Sequence, residues 1–170
     1  AIEAELNAAA EAQRWVLPPR EGQFGPFRYL GQSRPGRYVG GDFFDVIPLD
    51  EDRLAVALGD VAGKGIPAAV LMTASQGFLH AILRHDGDPA SAVMKLNRFV
   101  CGRFLEGKFM TLWLGVFDFR AATIRYVDAG HGYARLRKPD GTCDSLDDNT
   151  SIVLGFDADI GYEARTVPMT

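Results

Sequence analysis

The spacing of apolar positions changes several times along this chain, and each change marks an element. From residue 2, the positions Ile2, Leu6, Ala9, Gln13 and Val16 step by four and three through an alanine- and glutamate-rich run without Gly or Pro. That spacing predicts an amphipathic helix stopped at Pro18-Pro19. A loop rich in Gly and Pro follows over Pro18 to Pro26, and the pattern then shortens to strands: Phe27 to Gly31, Asp42 to Pro48 and Arg53 to Leu58. Leu49-Asp50-Glu51-Asp52 reads as the hairpin turn between the last two. Ile66 to Leu83 returns to three- and four-residue steps, with Pro67 in the first turn, where a missing N–H costs nothing. Asp88-Pro89 opens a second helix, with Ala92, Val93, Leu96, Val100 and Phe104 apolar. Strand patterns resume at Met110 to Phe117 and Thr123 to Val127, joined near Phe119 to Ala122. Two more, Tyr133 to Arg137 and Cys143 to Leu146, flank Pro139-Asp140-Gly141. Strands, two helices and strands again predict an α+β domain in which helices cover antiparallel sheet.

Composition narrows the class. At 170 residues and 47% hydrophobic, the chain is long enough to bury one proper core. A net charge of −4 without clustered Lys and Arg argues against nucleic acid as a partner and favours a folded protein. Cys101 and Cys143 lack CxxC spacing, and no signal peptide or 18-residue apolar span is apparent, so the reading is a reduced, cytoplasmic protein with its thiols free as small buried filler. The N-terminal helix either packs on its own domain or ends a longer helix from an upstream module; two heptads do not choose between these.

Chemistry concentrates in two acid-bearing turns, Gly40-Gly41-Asp42-Phe43-Phe44-Asp45 and Gly59-Asp60-Val61-Ala62-Gly63-Lys64-Gly65. The first opens one strand of the expected hairpin and the second closes its neighbour, so Asp42 and Asp60 should lie side by side despite being 18 residues apart. Two carboxylates at one sheet edge suit a hard metal ion. The second turn is not a phosphate-binding P-loop: three residues rather than four separate Gly59 and Gly63, and Gly65 stands where Ser or Thr would hold magnesium. A tight strand-to-helix turn accounts for the glycines but not for the acids, and both readings stay open on spacing alone. Asp45 should face away from Asp42, in a structural or second-shell role. Lys64 is either a solvated turn lysine or an attractor of phosphoprotein, and His131 either caps the turn after Gly130 or orients water near the site. His80 and His85 flank a helix end, where positive charge is favoured.

The motifs at 40–45 and 59–69 (Gly-Asp-Val-Ala-Gly-Lys-Gly-Ile-Pro-Ala-Ala), with Ala-Gly-His at 129–131, resemble the SpoIIE-type, or RsbU-like, branch of the metal-dependent type 2C (PPM) serine/threonine phosphatases. Gln13 to Pro18, Leu96-Asn97 and Met110-Thr111-Leu112 look like lesser landmarks of that family, in the right order. The resemblance implies two antiparallel β-sheets packed as a sandwich flanked by α-helices, with a two-metal centre at one edge. Asp60 would bridge two Mn2+ or Mg2+ ions, the Val61 carbonyl would bind one of them, and Asp42 would serve the same ion. The reaction would be hydrolysis of phosphoserine or phosphothreonine on a protein resembling a phosphorylated anti-sigma-factor antagonist.

Family domains continue into a strand bearing Thr-Asp-Gly and a later acid. Here the late acids Asp144, Asp147, Asp148, Asp157, Asp159 and Glu163 lack that context. The expectation is therefore a signalling helix over 1–19 that receives an upstream sensor or receiver domain, and a C-terminally incomplete phosphatase domain over 20–170 that is weak or inactive alone. The alternatives are a noncatalytic partner-binding domain of the same fold and a regulatory dimerisation domain driven by the N-terminal helix, with a homodimer as a further partner.

Overall fold

A computed structural model of the chain describes residues 2–35, 38–104, 107–147 and 152–169. Its centre is a five-stranded antiparallel sheet in the order β3 (Asp42–Pro48), β4 (Arg53–Val61), β5 (Met110–Asp118), β6 (Thr123–Ala129) and β9 (Arg165–Pro168). The outer strands tolerate Pro48 and Pro168 because an edge strand need not donate from every residue. Asp50 builds the β3–β4 turn, its Oδ1 accepting from the amides of Asp52 and Arg53.

One face of the sheet takes the helices α2 (Gly65–Asp86) and α3 (Pro89–Arg103). Phe43, Ile47, Ala55, Ala57, Leu112 and Leu114 meet Met72, Leu79, Val93 and Leu96 there in the main core. The start of α3 is the expected one: Asp88 accepts from the Ser91 amide and Pro89 occupies the first turn. α2 departs from expectation. It contains an 18-residue window of mean hydropathy 1.5, enough in length and composition to cross a membrane, which corrects the expectation that the chain has no apolar span of that length. Ala68, Met72, Leu79 and Leu83 are buried in the main core while Ile66 and Val70 stay exposed, and Ser75 and Gln76 are buried along it.

The opposite face carries a smaller core of Trp113, Ile124, Tyr126 and Leu146. Two ribbons cover it, β1 (Glu21–Phe24) with β2 (Phe27–Leu30), and β7 (Arg135–Arg137) with β8 (Cys143–Ser145). The Phe27 ring packs tilted against Phe117, 5.1 Å between centroids, and the Trp113 indole donates to the Leu146 carbonyl. The layered α+β sandwich is thus present, its second layer made of two ribbons among the described residues. β1 corrects the reading of Pro18 to Pro26 as loop throughout: a four-residue exposed strand between prolines has too little apolar alternation to announce itself. Cys143 is exposed on β8 and Cys101 only half-buried, so neither is core filler; both thiols are free.

The N-terminal helix α1 (Ile2–Val16) lies largely in solvent, with Ile2 and Trp15 exposed. It touches the body through Ala10, packed with Val39 and Ala69, and through two amide side chains. The Gln13 amide donates to the Gly40 carbonyl at 2.7 Å and accepts from its N–H at 3.1 Å, while Gln76 donates to the Val16 carbonyl at 2.8 Å. The contact is centred on Ala10 and Gln13, whereas Ile2 and Val16, the ends of the anticipated seam, stay exposed.

Candidate metal centre

The β3–β4 register places Asp42 directly opposite Asp60, and β4–β5 places Asp60 opposite Thr111. Side chains of cross-strand partners share a face, so all three project on the face away from the helices, at one end of the sheet. Asp42 and Asp60 stay exposed, at the mouth of a cleft of about 800 Å3 whose wall includes Lys64, Tyr38, Ile66 and Leu6 of α1.

Gly41 is needed at this edge because the Val61 carbonyl oxygen occupies the space of a side chain: a Cβ on Gly41 would lie 2.5 Å from it. The Val61 N–H donates back to the Gly41 carbonyl. Gly63 and Gly65 have φ of +117° and +70°, which turn the chain from β4 into α2. Lys64 is the N-cap of α2 without a side-chain cap bond, and Lys108, which carries no motif of its own, brings its ammonium beside Gly63.

Although Asp60 is exposed overall, partial desolvation of its carboxyl against the strand edge first, then a hydrogen bond to Asp42 and that residue's charge, push it above its ordinary range. None of the ion pairs among the described residues involves Asp42 or Asp60. Two apposed carboxylates without a basic partner, beside the Val61 carbonyl, are an oxygen-only donor set that fits a hard divalent cation. The set is partial: among the described residues no three His, Cys, Asp or Glu side chains gather into one group. Asp144, Asp147, Asp157, Asp159 and Glu163 do not join Asp42 and Asp60, and Asp148 lies outside the described residues.

The other candidates separate. Asp45 sits on the helix face, buried, where Oδ2 accepts from Gln76 Nε2 at 2.9 Å and lies 2.7 Å from His80 Nε2, while Oδ1 accepts from the Val46 amide. It fastens β3 to α2 and is not near substrate space. His80 thus has a buried carboxylate as its partner, a pairing invisible in one dimension because the two lie 35 residues apart. The turn at Gly130 is not capped by the His131 side chain. Asp128 does that, accepting from the amides of His131 and Gly132 between two glycines of φ +74°. The His131 imidazole instead meets Thr111, Nδ1 to Oγ1 at 3.0 Å. Burial pushes it below its ordinary range against the pull of Asp128 and Asp42.

This layered fold of antiparallel sheet and helices superposes on solved type 2C phosphatase domains. The SiaA-PP2C domain of Pseudomonas aeruginosa superposes with a TM-score of 0.80 at 22% identity, over 99% of this chain and 68% of that one. The RsbU and RsbW domains of Rv1364c from Mycobacterium tuberculosis superpose at 0.70 with 26% identity, over 81% of this chain and 38% of that one.

The family profile described as Stage II sporulation protein E (SpoIIE) matches residues 50–170, and the chain belongs to that family. It is 27% identical over 164 residues to phosphoserine phosphatase RsbU of Bacillus subtilis, across 95% of this chain but 48% of that protein. The chain thus spans about half the length of this curated relative. Phosphatases of the family are metal-dependent.

Proposed function

We propose that this chain is the acid-bearing part of a metal-dependent protein-serine/threonine phosphatase in bacterial signalling, acting on a phosphoprotein that resembles an anti-sigma-factor antagonist. The observation that carries the reading is the Asp42–Asp60 apposition at an open cleft, an arrangement that costs stability unless a cation is held there. Asp42, Asp60 and the Val61 carbonyl would hold Mn2+ or Mg2+ as part of a two-metal site. When bound, the divalent ions supply the Lewis acidity for hydrolysing the phosphomonoester. The protein's own residues present the acids on a rigid sheet edge, while Lys64 and Lys108 bring positive charge to the side from which a phosphoprotein enters. Asp45 supports the same strand from the helix face.

Residues 1–19 would form a signalling helix that connects an upstream sensor or receiver domain to residues 20–170, since the Gln13 amide holds the backbone two residues before Asp42. The exposed apolar residues of this helix would also serve a homodimer, the two free thiols fit a cytoplasmic setting, and the net charge of −4 favours protein rather than nucleic-acid partners.

The test is Mn2+ calorimetry paired with hydrolysis of a phosphoserine peptide, on this chain, on Asp60→Asn and on a C-terminally extended chain. Support is Mn2+ binding that Asp60→Asn abolishes, with weak turnover here and strong turnover in the extended chain. An extended chain that neither binds Mn2+ nor turns over makes the domain a noncatalytic partner-binding module, a reading favoured by the absence of a third acid at the described site.

A further inference from the structure

Thr111 and His131 form a pair that the metal site does not use, yet they stand beside it. Thr111 is the cross-strand partner of Asp60, and the bridge between Leu112 and Gly130 brings the Ala-Gly-His turn against the same end of β5. That turn is rigid: Gly130 and Gly132 take left-handed conformations, and the Asp128 carboxylate, itself buried, accepts from two successive amides. The imidazole is thus presented from a stapled backbone, with the Tyr133 ring nearly perpendicular to it at 5.8 Å between centroids.

The ring has two nitrogens and the structure uses one. Nδ1 is taken by the Thr111 hydroxyl, and Nε2 has no hydrogen bond among the described residues. Asp42 and Asp128 act electrostatically on the ring, and both are acids. In a neutral imidazole one nitrogen carries the proton and the other accepts. With two acids acting on the ring, a bare Nε2 lone pair would repel an incoming phosphate, whereas an Nε2–H would attract it, and a Thr hydroxyl can donate to Nδ1 to hold the ring in that form.

Resting on the phosphatase reading above, we propose that Thr111 is a positioning residue that keeps His131 as the Nε2–H tautomer, and that Nε2–H donates a hydrogen bond to a non-bridging oxygen of the substrate's phosphate. No proton changes owner in this contact. It supplies an uncharged, directional donor at a site otherwise bordered by acids and flexible lysines, and it favours the phosphate dianion over a carboxylate side chain of the same protein by offering the donor where three acceptor oxygens converge.

The experiment reads the imidazole nitrogens of His131 by long-range proton–nitrogen NMR in the metal-free protein, in the wild type, Thr111→Ser and Thr111→Val. Inorganic phosphate is then titrated in Mg2+ buffer, with His131→Gln added to the set. The expected result is the Nε2–H form in the wild type and Thr111→Ser and a tautomer mixture in Thr111→Val. Phosphate affinity should fall about tenfold in His131→Gln, as loss of one hydrogen bond to a charged group implies, fall about twofold in Thr111→Val, in proportion to the Nε2–H fraction lost, and recover in Thr111→Ser. An Nδ1–H form in the wild type overturns the proposal. So does a Thr111→Val protein with unchanged tautomer, or a wild type whose His131 signals do not respond to phosphate. The metal-free tautomer is independent of catalysis, so a phosphatase reading that fails through turnover surviving in Asp60→Asn is distinguishable from failure of this contact.

Discussion

Replacing Asp60 with Asn should make the metal-free protein more stable while removing its response to metal. Asp42 and Asp60 are direct cross-strand partners with no basic residue paired to either among the described residues, and like charges so placed destabilise by about 0.2–1 kcal/mol. The side chains are exposed, so solvent screening holds the figure at this surface scale. In a domain of this size that corresponds to a rise of about 1–4 °C in Tm for Asp60→Asn without metal. The pH dependence follows from the raised carboxyl of Asp60. A carboxyl whose pKa lies above its unfolded value of 3.8 binds its proton more tightly when folded, so ionising it costs folding stability. The cost develops as pH rises from 3.8 through the folded value and is absent below 3.8. The variant's advantage should therefore be full at pH 7 and fade as the solution is acidified toward pH 4. With Mn2+ at a hundred times its Kd, the wild type should gain about 2.7 kcal/mol, or about 5–10 °C, and the variant none. Differential scanning fluorimetry at several pH values, with and without Mn2+, reads all of this. A variant less stable than wild type in EDTA, or one that keeps the Mn2+ shift, refutes the reasoning.

Three other outcomes follow from single contacts. Asp45→Ala should cost about 2–4 kcal/mol in urea unfolding, because the Gln76 and His80 bonds to a buried charged group are lost; a cost below about 1 kcal/mol would show that the helix-face clamp is unimportant. Gly41→Ala should leave the fold intact but weaken Mn2+ binding at least about tenfold by calorimetry, since its Cβ must push the Val61 carbonyl or the Asp42 strand aside; unchanged affinity sinks the geometric argument. Asn97→Ala should cost about 2–3 kcal/mol and speed hydrogen exchange at Gly155, because the buried amide donates to the Asp157 carbonyl at 2.7 Å and accepts from the Gly155 N–H at 2.9 Å; an unaltered exchange rate there counts against it.

Local patterns alone announce much of this molecule. The turn acid Asp50, the cap Asp88 with Pro89, the helix periods and the strand alternation each act within a few residues, so the hairpin register and the meeting of Asp42 with Asp60 are legible in the order of residues. Elements with a faint local signal stay hidden: β1 is short and bracketed by Pro and Gly, and β9 is four residues on an edge with only Val167 packed on the smaller core. The apolar window in α2 is masked in the same way because its Ser, Gln and His residues interrupt the run, although Gln76 and His80 are what tie the helix to β3 and α1.

Sequence by itself determined which residues carry acid, which turns need glycine and which family the motifs resemble, since these depend on residue type and near neighbours. Tertiary structure alone decided the assignments to faces. It sent Asp45 to His80 across 35 residues, placed Thr111 beside Asp60 and gave His131 a hydroxyl partner rather than a turn to cap. It also brought Lys108 to Gly63 and Gln13 to Gly40. The reason is that a strand's alternation sets which side a residue faces, but what waits on that side is another segment, chosen only when the sheet and helices close on one core.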